Sequence, residues 1–91
     1  MLKTLEDLIL TIRERKSSPD ESSYTAKLLN NKSLSVKKVK EEIGELIEAI
    51  ENNSNKVHEA ADVLYHLLVY LEGNGIRIED IMQELEKRKK K

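Results

Sequence analysis

Apolar residues recur three and four positions apart along almost the whole of this chain, and no stretch alternates apolar and polar as a half-buried strand does. That periodicity limits the fold to helices packed on helices. Leu2, Leu5, Leu8, Ile9 and Ile12 form one stripe, which predicts a first helix ending near Lys16, ahead of the turn-forming Ser17-Ser18-Pro19-Asp20. Ser22-Ser23 predicts the cap of a short helix over residues 24–29, ended by Asn30-Asn31. Ser33 or Ser35 is expected to cap a second long helix whose apolar face is Val36, Val39, Ile43, Leu46, Ile47 and Ile50, stopped by Asn52-Asn53-Ser54-Asn55. A third long helix, from about Lys56 to Glu72, is apolar on nearly every side, and Gly73-Asn74-Gly75 ends it with a residue suited to the left-handed conformation. The last helix, roughly Ile78 to Lys89, carries Glu79 and Asp80 in its first turn and Lys87 to Lys91 at its end, matching the helix dipole. The expected fold class is all-α, a four-to-five-helix bundle in a single domain over residues 1–91, with 87–91 a frayed tail.

What such a bundle can do is narrowed by composition. Lys plus Arg (16) nearly balances Asp plus Glu (17), which argues against nucleic acid or an anionic membrane as a partner held by bulk charge. Zero cysteines remove disulfides, thiolate metal sites and a Cys nucleophile, and a cytoplasmic location fits. Glu6 and Asp7 interrupt the N-terminal stretch where a signal peptide would be unbroken, and Asp62 and His66 interrupt the most apolar segment, so no membrane span is expected. With three Tyr and no Phe or Trp the core is thin, and a helix apolar all round cannot be covered within 91 residues. Self-association is therefore expected.

The acids are what a plain bundle does not explain. Glu42 and Glu45 are three apart on the second long helix, as are Glu59 and Asp62 on the third, so each pair shares a helix face. Spacing alone allows Glu42/Glu45 to be a solvated face. The second pair, however, shares a narrow stripe with His66 among Val63, Tyr65, Val69 and Tyr70, and acids in apolar surroundings are costly unless neutralised. If the two helices are antiparallel neighbours, both pairs face one small volume. Hard divalent cations are the natural partner of converging carboxylates, and Mg²⁺ keeps coordination positions for substrate phosphates.

Three segments carry a resemblance: Ser23-Tyr24-Thr25-Ala26-Lys27-Leu28-Leu29, Lys37-Lys38-Val39-Lys40-Glu41-Glu42, and Glu59-Ala60-Ala61-Asp62-Val63-Leu64-Tyr65-His66-Leu67-Leu68. With Glu42-x-x-Glu45 and Glu59-x-x-Asp62, the chain from Leu5 to about Arg88 resembles the phosphoribosyl-ATP pyrophosphohydrolases within the all-α, MazG-type nucleotide pyrophosphohydrolases. It departs in a connection between the acidic helices (Glu51 to Lys56) a couple of residues short, in Lys40 where a Gly is usual, and in Arg77 where a small polar cap is usual. The resemblance implies Mg²⁺-dependent hydrolysis, with Mn²⁺ as substitute, of phosphoribosyl-ATP to phosphoribosyl-AMP and pyrophosphate in the second step of L-histidine biosynthesis. It implies Glu42, Glu45, Glu59 and Asp62 as metal-binding and catalytic residues, and Arg13, Lys16, Ser23, Tyr24, Thr25, Lys38 and His66 as substrate-binding ones. An intertwined homodimer with sites near or across the interface is implied too, as is a link to phosphoribosyl-AMP cyclohydrolase, fused to this domain in some relatives. Read without it, the basic residues are solvated charges, Ser23 a cap, Tyr24 a packed ring and His66 a core-edge residue. Two other functions compete: a house-cleaning pyrophosphohydrolase of aberrant nucleoside triphosphates, and a non-catalytic dimerisation module whose acids pair with Lys37, Lys38 and Arg13.

Overall fold

A computed structural model describes residues 2–18 and 22–89. Five helices follow one another, α1 (Lys3–Ser17), α2 (Tyr24–Leu29), α3 (Lys32–Asn52), α4 (Lys56–Gly73) and α5 (Ile78–Arg88), with no strand among the described residues. The all-α expectation holds. Of the expected breaker after α1, Ser18 is extended, whereas Pro19 and Asp20 lie outside the described residues, as do Lys90 and Lys91 of the expected tail. None of the helices is long and apolar enough to cross a membrane.

The turns fall where the polar clusters put them. Ser23 caps α2, its hydroxyl accepting the Ala26 amide at 3.4 Å. The cap of α3 is Asn31, not Ser33 or Ser35; its side-chain oxygen accepts the Leu34 amide at 3.1 Å. Asn caps as well as Ser, and the earlier cap adds a turn that buries Ser35 inside the helix. Between α3 and α4 the chain reverses through Asn53 and Asn55, both left-handed, while the Ser54 amide reaches back to Ala49 O at 3.0 Å. After α4, Gly75 takes the left-handed position at φ 77° and the Ile76 amide bonds Leu71 O at 2.9 Å.

Ile9 and Ile12 of α1, Leu28 of α2, and Leu68 and Val69 of α4 form the core, with Leu5, Leu8, Leu29, Leu34, Tyr65 and Ile78 packed around it. The α3–α4 hairpin is the most extensive packing in the molecule. Only part of the expected apolar face of α3 is used. Val36, Val39 and Leu46 are half-buried, whereas Ile43, Ile47 and Ile50 are exposed, as are Val57 and Leu64 of α4. The reason is supply: one chain of this length packs a single side of its longest helix.

Candidate active site

The hairpin turn sets α3 and α4 side by side, so the acids expected to face one another do so. Glu42, Glu45 and Glu59 present oxygens all within 4.8 Å of one another, and Glu59, Asp62 and His58 form a second such group. Glu59 belongs to both, which joins the four acids into one cluster. Oε2 of Glu42 and Oε2 of Glu59 are buried without a hydrogen-bond partner among the described residues. Ionised carboxylates only accept, so they cannot satisfy one another. Burial, then the neighbouring Glu45 carboxylate, push the Glu42 carboxyl above its ordinary range, against the pull of His66. Burial and the charge of Glu45 raise Glu59 likewise, with His58 opposing. Two orphaned oxygens in an all-oxygen donor set are what a hard divalent cation would satisfy, so these residues fit one.

A cleft of about 200 Å³ opens against this cluster, lined by Glu45, Glu48, Ala49, Asn52, Ser54, Asn55 and Glu59. At the other end of the acidic strip lie residues of α2. Tyr24 Oη is 3.0 Å from His66 Nε2, the Thr25 and Tyr65 hydroxyls bond each other, and the Tyr24 and Tyr65 rings stack with centroids 6.3 Å apart. Lys38 pairs with Glu41 at 3.4 Å, and its charge acts on Tyr24.

The model of the family described as phosphoribosyl-ATP pyrophosphohydrolase matches residues 5–89. The chain belongs to that family. Within the phosphoribosyl-ATP pyrophosphohydrolase family, a protein named phosphoribosyl-ATP pyrophosphatase from Methylobacterium nodulans is 48% identical over 88 residues, covering 93% of this chain and 82% of the relative. One of the same name from Leptospira biflexa is 43% identical, covering 96% of this chain and 95% of the relative. A protein named histidine biosynthesis bifunctional protein HisIE from Thermotoga maritima is 41% identical over 92% of this chain, but only 44% of its own length is spanned. Membership of this family makes the chain a hydrolase.

Not every expected residue gathers at the acidic cluster of this family member. Glu42, Glu45, Glu59 and Asp62 converge; Tyr24, Lys38 and His66 adjoin them; Ser23 and Thr25 are engaged in a cap and in the Tyr65 bond. Arg13 and Lys16 are placed elsewhere. The Arg13 guanidinium forks onto Glu72 (2.8 and 3.0 Å) and Glu79 (3.0 and 2.6 Å), while Lys16 Nζ caps α4 by donating to Glu72 O at 2.7 Å. Glu72 lies about 15 Å of helix beyond Asp62. It is 4% exposed, takes a further bond from the Ile78 amide, and is held below the ordinary carboxylate range first by Arg13. Arg13 thus ties α5 to α1 and α4. Glu72 went unread in the sequence although it is an acid closing an apolar run, the same signal that singled out Glu59 and Asp62. His58 is exposed and pairs with Asp62 at 3.4 Å, a contact its i, i+4 spacing allows.

Proposed function

We propose that this chain catalyses Mg²⁺-dependent hydrolysis of the α–β phosphoanhydride of phosphoribosyl-ATP, releasing pyrophosphate and phosphoribosyl-AMP, as a cytoplasmic enzyme of histidine biosynthesis. The observation that carries the reading is the pair of buried, unpartnered oxygens of Glu42 and Glu59 inside a four-acid cluster of a chain in this family. The identity to relatives named for the same substrate supports the choice of that substrate over other nucleoside triphosphates. The adaptor reading needed Lys37, Lys38 and Arg13 on the four acids, yet Arg13 pairs with Glu72 and Glu79, and Lys38 with Glu41.

Glu42, Glu45, Glu59 and Asp62 would hold the ion, which when bound neutralises phosphate charge and activates a water. The chain's own residues set the stage. A triphosphate cannot approach four carboxylates unless their charge is cancelled, so the acids select against unchelated nucleotide. Lys38 supplies a positive group at the edge of the cluster, oriented by Glu41. A homodimer seated on Ile43, Ile47 and Ile50 would cover the apolar face that one chain leaves open, and a link to a phosphoribosyl-AMP cyclohydrolase follows from the product. Replacing Glu45 or Asp62 by Ala is expected to abolish Mg²⁺-dependent pyrophosphate release from phosphoribosyl-ATP while the circular-dichroism spectrum stays helical. Retained turnover in both variants would sink the assignment.

A further inference from the structure

Among the hydroxyls of residues 23–25 at the start of α2, two are already committed. Ser23 Oγ accepts the Ala26 amide, and Thr25 Oγ1 is paired with the Tyr65 hydroxyl. Tyr24 differs. It is 45% exposed, and its hydroxyl lies 3.0 Å from Nε2 of His66, whose other nitrogen stands 2.8 Å from the Asp62 carbonyl, which places the hydroxyl one helical turn from the acidic cluster.

What that hydroxyl offers is decided by His66. The imidazole is 7% exposed, lies edge-on to both Tyr24 and Tyr65, and its Nδ1 stands 2.8 Å from the Asp62 carbonyl oxygen. A carbonyl can only accept, so Nδ1 carries the hydrogen and, in the neutral ring, Nε2 is a bare acceptor. Nε2 lies 3.0 Å from Tyr24 Oη, so the tyrosine proton is directed at the histidine. The hydroxyl is left with lone pairs to present. Ionised phosphate oxygens also only accept, so Tyr24 is mismatched to phosphate and matched to a donor.

We propose that Tyr24 is a specificity-determining residue, fixed by the positioning residue His66 as an outward hydrogen-bond acceptor for a donor group of the nucleotide. The donor is either a ribose hydroxyl or the exocyclic nitrogen of the base. This deepens the function proposed above and rests on it. It also divides the labour of the site, with phosphate left to cations and the nucleoside read by an oxygen.

Steady-state pyrophosphate release with Mg²⁺ tests this on wild type, Tyr24→Phe, His66→Asn and His66→Gln. Tyr24→Phe is expected to raise KM about five-fold with kcat unchanged, the size of one neutral hydrogen bond. Asn at 66 keeps a donor for the Asp62 carbonyl but loses the distal acceptor, so it should match Tyr24→Phe, whereas Gln restores an acceptor and should stay near wild type. The double variant Tyr24→Phe/His66→Asn should be no worse than either single change. Substrates lacking the 2′- or the 3′-hydroxyl of either of the two ribose rings locate the donor: if one of them equalises wild type and Tyr24→Phe, that hydroxyl is the donor; if none does, it is the base nitrogen. An unchanged KM in Tyr24→Phe, a loss confined to kcat, or an additive double variant overturns the inference while the function stands. A wild type inactive on phosphoribosyl-ATP overturns both.

Discussion

Substituting Glu42 by Gln should make the metal-free protein more stable and the enzyme inactive. Its carboxylate lies within 4.8 Å of the oxygens of Glu45 and Glu59, with one oxygen buried and unpartnered. Two like charges at that separation repel by about 3 kcal/mol at an effective dielectric constant near 20. Glu45 is exposed, so water screens part of this, and a net gain of about 1–2 kcal/mol is expected for the isosteric amide. The amide also gains an N–H to donate to its neighbours. For a domain of this size that gain corresponds to a rise in melting temperature of about 5–10 °C. The assay is thermal unfolding by circular dichroism in chelator, at matched protein concentration so that the proposed self-association would shift both midpoints alike. Titrating Mg²⁺ should then raise the wild-type midpoint and leave that of Glu42→Gln almost unmoved. A variant that melts at or below wild type in chelator would refute the idea that the acids are held together against their own repulsion.

Arg13→Ala should cost about 2–3 kcal/mol, because it strands the buried Glu72 carboxylate, with the figure kept toward the low side since Arg13 itself is 29% exposed. Urea unfolding measures it. Glu72 is held below its ordinary value, and Glu79, first through its Arg13 bond, lies at about 2. Both contribute stability that is present above the ordinary glutamate value of 4.5 and lost as pH falls from there toward 2, so wild type should weaken through that window and Arg13→Ala should weaken less. If α3 seats the proposed dimer on its uncovered face, Ile47→Glu should give a monomer by light scattering where wild type gives a dimer, without loss of helicity.

Element order was legible because the chain separates its apolar stripes with Asn, Ser and Gly at the bends that need them. The acidic pairs were legible because Glu59 and Asp62 interrupt an apolar helix, and an acid there demands a partner. The cap of α3 was not, since Asn31, Ser33 and Ser35 compete on nearly equal terms and only packing chooses. Nor were the partners of Arg13: in one dimension a basic residue near a turn does not show that Glu72 and Glu79, some sixty residues on, come to meet it. The apolar face of α3 reads as core from its period, yet Ile43, Ile47 and Ile50 stay exposed because periodicity reports which residues want burial and not which neighbour supplies it.

The four acids all lie between residues 42 and 62, on two helices joined by the short Asn53–Asn55 reversal. Their meeting therefore depends on contacts close in sequence, which form quickly and close only a small loop. Assembly of the acidic cluster and formation of the hairpin are then the same event. One residue inserted within either helix, between its acids and the turn, would rotate one acidic pair about 100° away from the other, whereas an added residue in the Asn turn itself leaves both helical phases as they are.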